Sequence, residues 1–187
     1  SMKFKILLPL IIIAAGLAWA LDNYLSYKNI ETINPEIPLK QALDGEQISK
    51  IRVYKSKRIL EILTSKGIAK SYKIALGREP EGHKEIQGDG KTPEGNYTIN
   101  GKNPNSAYHL NLGISYPNKA DVAHAKSLGK SAGGDIKIHG LPNKFSYLGQ
   151  SIAAFGDWTE GCIALVNDDM DELFEHVKIG TPIEILP

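Results

Sequence analysis

A single cysteine, Cys162, in 187 residues rules out an intramolecular disulfide and leaves no cysteine pair for a zinc site. Charge of one sign is missing as well. The 22 basic and 21 acidic residues leave a formal net charge of +1, so the clustered lysine and arginine on which nucleic-acid binding rests are not in evidence and no nucleic acid is expected as a partner. Internal repeats and low-complexity tracts are absent, which removes repeat arrays and disordered tails from consideration. What remains is ordinary globular material, 42% hydrophobic and 23% charged, at a length that suits one domain. Eighteen glycines and ten prolines supply many turns and favour a β-rich fold over a helical bundle.

There is one long apolar run. Lys3 and Lys5 give a basic start, and Ile6 to Leu21 follows as sixteen residues without a charge. Ser1 ahead of Met2 reads as the remnant of an expression tag. The run is slightly short for a spanning helix of about 20 residues. Ala18-Trp19-Ala20 has the small-x-small form of a signal cleavage site. Trp19, Tyr24 and Tyr27 instead stand where interfacial aromatics anchor an uncleaved helix. A core helix is the bland alternative, and the basic start argues against it. The expectation is an exported domain, anchored to a membrane through residues 1–21 or released after cleavage. Residues 22–49, polar and carrying Pro35 and Pro38, read as a tether, and residues 50–187 as the main folded domain.

From Lys50 the pattern turns to short strands. Ile51 and Val53 alternate with Arg52 and Tyr54, and Arg58–Thr64 and Ile68–Leu76 follow after turns at Lys55-Ser56-Lys57 and Ser65-Lys66-Gly67, a β-meander. Further strands are predicted at Tyr97–Ile99, Tyr108–Ile114, Asp135–His139 and Pro182–Leu186, with a short helix over Lys119–Leu128. A second helix is predicted after Asn167 as its cap, with Asp168, Asp169 and Asp171 in its first turn. Its apolar stripe is Met170, Leu173, Phe174 and Val177.

The segment Asp157-Trp158-Thr159-Glu160-Gly161-Cys162-Ile163-Ala164-Leu165 carries the chemistry. A lone cysteine is usually an inert buried residue, but Gly161 directly before it opens backbone access and Thr159 and Glu160 break the apolar pattern. A thiol attacks as thiolate, and its free pKa near 8.5 calls for a base, most often an imidazole. Five histidines compete. His139 ends a strand, precedes Gly140 and lies 23 positions before Cys162. His176 falls on the exposed side of the late helix, His83 in a charged loop, His124 in a polar helix and His109 in a strand. Pattern alone does not settle the choice among them. Gly82–Gly95 is glycine-rich but lacks the ending of a phosphate loop, Asp89 and Glu94 read as a solvated turn, and Trp158 reads as packing before it reads as a sugar platform.

His139-Gly140 followed by Thr159-x-Gly161-Cys162-Ile163 resembles the signature of the L,D-transpeptidase family, the YkuD domain. Gly88–Tyr97, Leu110–Asn118 and Gly180–Ile183 are similar to other stretches of that family in the same order, so the resemblance runs from about Lys50 to Pro187. It implies a mainly β, sandwich-like domain with a few peripheral helices. It implies also a peptidoglycan stem peptide as substrate, a thioester on Cys162, and transfer to an amine or to water. His139 would be base and then acid, oriented by the Gly140 carbonyl. Amides near Gly161 and Cys162 would hold the oxyanion, and Thr159, Glu160, Trp158 and Tyr116 would flank substrate. Neither a cofactor nor a metal is called for. Two positions depart from the pattern: Glu160 stands where many members have His, and Ala164 where many have Arg or Asn. The Trp158–Ala164 form is similar to an envelope subgroup that includes members cutting links. Transpeptidation (3–3 cross-links, D-amino acid exchange or attachment of an envelope protein's lysine), hydrolysis on the same fold, and a catalytically silent peptidoglycan-binding module are therefore the readings to separate.

Overall fold

Period-two alternation builds most of the domain, and the computed structural model shows how. It describes residues 2–187, with side chains outside 2–8, 10 and 150–155. The elements in chain order are α1 (Met2–Lys28), α2 (Leu39–Ala42), β1 (Lys50–Tyr54), β2 (Ile59–Thr64), β3 (Gly67–Lys73), β4 (Gly95–Ser106) and β5 (His109–Ile114). There follow α3 (Lys119–Ser127), β6 (Lys137–His139), a 3-10 segment (Asn143–Phe155), β7 (Ile163–Ala164), α4 (Asn167–His176) and β8 (Pro182–Leu186). The eight strands form one sheet in the order β3-β2-β1-β8-β4-β5-β6-β7. The mainly β expectation holds.

Register explains the core. Ile51 pairs with Ile62 on one side and Ile183 on the other, and Val53 with Leu60 and Ile185. All six side chains are buried, each worth roughly 1.5–3 kcal/mol relative to exposure. The opposite face alternates to charge: Glu184 takes Lys50 and Arg52 at 3.2 Å. β4 is the hinge of the sheet, its first residues pairing with β8 and its later ones with β5. The sheet's two ends then meet. Beyond β3, Ala75 bridges Ala164 of β7 and Gly77 bridges Thr159, so both edges are covered rather than left as templates for other chains.

Some details of the elements differ from the sequence reading. β4 runs to Ser106 rather than stopping at Ile99, because Lys102 has a task there: its ammonium caps the C-terminal carbonyls of α4 at Phe174 and Val177. The 3-10 segment between His139 and Cys162 has no counterpart in the predicted elements. Asn167 does not cap α4; Val166 holds the cap position without a side-chain bond. The Asn167 Oδ1 instead accepts the Leu141 amide at 2.9 Å, which ties α4 to the loop after His139. Residues 29–49 lie against the domain: Ser71 bonds both ways with Ile33, Asn34 donates to the Ala69 carbonyl, and Leu39 donates to Glu172.

In α1, Ile11, Ile12, Ile13, Leu17 and Leu21 are each more than half exposed, so the bland core-helix reading does not apply to them. Among the described residues no helix is long and apolar enough to cross a membrane, and the side chains of residues 6–8 and 10 of the predicted anchor lie outside the described ones.

Where the lead-in segment meets α4, Asp169 is half-buried, and burial raises its pKa to about 6, with Glu172 and Asp168 adding to the shift and Lys70 and Lys73 opposing it. A folded pKa above the unfolded value means the charge disfavours folding above pH 6, and the penalty fades as pH falls toward 4. Asp169→Asn should therefore gain about 1–2 kcal/mol at pH 7.5 and nothing at pH 3.5. Urea denaturation at the two pH values reads this directly, and a loss at pH 7.5 would reverse the assignment.

Candidate active site

The turn that presents Cys162 is fixed residue by residue. Asp157 accepts from both the Nε and the Nη2 of Arg58, the latter at 2.7 Å, and accepts the Leu76 amide at 2.8 Å, which pins the segment to the chain beyond β3. Thr159 is buried; its hydroxyl donates to the Cys162 carbonyl at 2.8 Å and accepts the Gly161 amide at 3.1 Å. Thr159 thus staples the turn, and it takes up one of the two amides expected to hold an oxyanion. Gly161 is required by its backbone: φ is 132°, and a Cβ there would stand 2.5 Å from the Lys91 carbonyl oxygen. The close approach that the glycine permits is that of residue 91, not of a substrate.

Residue 91 belongs to the loop from Gly77 to Gly95, which forms the neighbouring wall. The buried Lys55 ammonium gathers it by bonding Gly82 O at 2.6 Å, Thr92 O at 3.0 Å and Glu94 Oε1 at 2.9 Å. Asp89 holds its tip through Lys84 and the amides of Glu85, Ile86 and Lys91. Burial works against the Asp89 carboxylate, and these bonds outweigh it, leaving its pKa below the ordinary value.

His139 reaches Cys162 through the sheet. β6 and β7 are parallel, with Ile138 opposite Ile163 and His139 opposite Ala164. Continuing that register back one residue sets Cys162 beside Lys137. Lys137 and His139, two apart on β6, share one face, and the Cys162 thiol meets the backbone of β6 beside them, at the Asp135 carbonyl and the Lys137 amide. The His139 Nδ1 donates to the Gly140 carbonyl at 2.7 Å in the tautomer that leaves Nε2 as acceptor. Its ring lies 4.6 Å from Tyr108 and 5.6 Å from Trp158, centroid to centroid, a buried aromatic seat. Gly140 is packed rather than loose: a Cβ would stand 2.7 Å from Asn167 Oδ1 and 2.8 Å from His109 Cβ.

Burial sets the protonation of both groups. It lowers the His139 pKa, which the Gly140 bond opposes and Lys137 reinforces. It raises the Cys162 pKa, against the pull of the Lys137 backbone amide and ammonium. A neutral thiol facing a neutral imidazole is the resting state these directions favour, and a base must then take the proton as the sulfur attacks. The Cys162 Sγ sits 3.7 Å from the Asp135 carbonyl.

The other histidines are engaged elsewhere: His83 with Asp121 at 3.2 Å, His109 with Asp171 at 2.5 Å, His124 with Glu85 at 2.8 Å and His176 with the Glu172 carbonyl at 3.0 Å. Glu160 is exposed and ion-paired with Arg78. Trp158 stacks toward Tyr108 at 6.0 Å. Tyr116 is a core residue, 4% exposed, with its hydroxyl on the Ala132 carbonyl and its ring edge-on to Tyr97. Tyr108, Lys137 and Arg78 belong to the site or its support and carried no sequence signal, and Asn167 carried the signal of a helix cap instead. Each depends on pairing across strands or on distant loops.

The sheet thus brings Cys162, directly before β7, and the carbonyl-oriented His139, at the end of the neighbouring β6, into one region of the fold. The L,D-transpeptidase catalytic domain family, YkuD, matches residues 49–185, and the chain belongs to that family. It is 31% identical over 145 residues to the Escherichia coli K12 protein named "Putative L,D-transpeptidase YafK", covering 74% of this chain and 50% of that one. Among solved structures it resembles the helical cell shape determining protein Pgp2 of Campylobacter jejuni, with 29% identity and a TM-score of 0.57, covering 79% of this chain and 53% of that one. Bd1075 of Bdellovibrio bacteriovorus superposes with 26% identity and a TM-score of 0.52, over 76% and 49% of the two chains. The chain thus spans about half the length of the relatives it matches.

Proposed function

We propose that Cys162 attacks the carbonyl of a peptidoglycan stem peptide and holds the acyl group as a thioester until an amine or water takes it. The observation that carries this reading is the parallel pairing of β6 and β7, which sets the Cys162 thiol against the backbone of β6, with His139 at the end of that strand held by Gly140 so that Nε2 is the free base. Sulfur forms the new bond to carbon, His139 receives the thiol proton, and the collapsing tetrahedral intermediate expels an amine that takes that proton back. With the Gly161 amide engaged by Thr159, the Cys162 amide is the oxyanion donor of the pair. Family membership supports peptidoglycan as the substrate class, and the envelope as its place. The exposed apolar face of α1 supports attachment at the membrane.

The acceptor amine is read as a second stem peptide, a free D-amino acid or a protein lysine. Hydrolysis has its own support, because Ala164, where many members carry Arg or Asn, is a buried methyl bonded into the bridge to Ala75. Incubating purified tetrapeptide muropeptides with the protein and a free D-amino acid, followed by mass spectrometry, separates the outcomes. Exchanged or dimeric products establish transfer, tripeptide alone establishes hydrolysis, and unchanged tetrapeptide sinks both.

A further inference from the structure

Lys137 stands on the reacting face without a part in the mechanism above. It precedes His139 by two residues on β6, and its backbone amide meets the Cys162 thiol. Its side chain is one-third exposed, and its ammonium is paired at 2.7 Å with the carboxylate of Asp135, whose side chain is 84% exposed. An ion pair of that exposure is worth no more than about 1 kcal/mol, so a second carboxylate can take over the lysine at small cost. Asp135 is held in place by its backbone, since its φ is 63° and its carbonyl faces the thiol.

Two neighbouring cations have carboxylate partners of their own. Lys84 is buried against Asp89, and Arg78 is paired with Glu160. Ala164 adds no charge to this face. We propose that Lys137 is a specificity-determining residue that docks a substrate carboxylate next to the reacting carbonyl, with Asp135 as the internal carboxylate that the substrate displaces. The inference deepens the acyl-transfer reading, since stem peptides carry free carboxylates, and rests on it for the natural substrate.

The test uses Cys162 itself and needs no peptidoglycan. Iodoacetate and iodoacetamide alkylate a thiol by the same displacement of iodide and differ in one carboxylate. The ratio of their rates at Cys162, divided by the ratio for free cysteine, should exceed one in the wild-type protein. Lys137→Met should lower that normalised ratio on the order of tenfold, as loss of a charge-assisted contact does. Lys137→Arg should restore most of it, and Asp135→Asn should raise it above wild type. On muropeptides, Lys137→Met should raise KM for a donor with a free carboxylate more than it lowers kcat, with a smaller rise for the amidated donor. If Lys137→Met slows both reagents equally, the lysine acts only through the thiolate and the proposal is overturned. Muropeptide turnover without a carboxylate preference overturns Lys137 and leaves the acyl-transfer reading standing. A carboxylate preference without turnover does the reverse.

Discussion

Replacing Cys162 with alanine should abolish turnover of muropeptides, a loss of about 10⁴-fold or more, because no other group can carry the acyl intermediate. The fold should survive, since Cys162 is half-buried and its turn is held by Thr159 and Asp157 rather than by the thiol. His139→Gln is the companion variant. It keeps a hydrogen-bonding side chain in the aromatic seat but removes the base, and turnover should fall by about 10²–10⁴. The two variants then separate by alkylation: iodoacetamide labels the glutamine variant and not the alanine one. The pH dependence has a definite sign. A histidine whose pKa is lowered by burial stays neutral below the ordinary 6.5, so the acid limb of kcat/KM should sit below that value. A thiol whose pKa is raised by burial should show alkylation climbing past the ordinary 8.5. An acid limb above 6.5, or full turnover by Cys162→Ala, would remove these residues from the roles given them.

The meander was legible because half-buried strands write their burial into a period of two: Ile51, Val53, Leu60 and Ile62 are the inward residues of β1 and β2. β7 was not, being two residues long and buried on both sides, with no period to read. Its neighbours define it through the pairings to His139 and Ala75. The late helix was visible from Met170, Leu173 and Val177, yet the role given to Asn167 failed because a polar residue before a helix can bond outward as readily as inward. Cys162 and His139 could be proposed from sequence because their neighbours resemble a motif. What could not be named was everything joined across the fold, such as Arg58 to Asp157 over 99 positions or Tyr108 against His139. Tyr116 shows the converse, a residue near a motif in sequence whose hydroxyl is spent inside the core.

Gly161→Ala should cost roughly 4 kcal/mol and Gly77→Ala a similar amount, beyond the range of ordinary substitutions. Three backbones meet at this point of the site. A Cβ on Gly77 would stand 2.1 Å from the Gly90 carbonyl oxygen and 3.0 Å from the Gly161 Cα, and one on Gly161 would stand 2.5 Å from the Lys91 carbonyl oxygen. Side chains can turn away from a collision, but these obstacles are main chain, held by Lys55, Thr92 and Asp89 from the other side. Relief requires the 77–95 loop to separate from the cysteine turn, which also moves Cys162 from its place against β6. Gly129 and Gly101 are the controls. Gly129 has a positive φ and nothing within 4 Å, so alanine there should cost about 1 kcal/mol from backbone strain alone. Gly101 has neither strain nor neighbours, and its alanine variant should lie within about 0.5 kcal/mol of wild type. In thermal melts a 4 kcal/mol loss corresponds to a drop of roughly 10 °C in Tm for a domain of this size. Gly161→Ala should combine that drop with the loss of turnover, whereas Gly129→Ala should show a small drop and full turnover. If Gly161→Ala melts with Gly101→Ala, the cysteine turn does not bear on the 77–95 loop, and the geometry that sets thiol against imidazole must be held by other contacts.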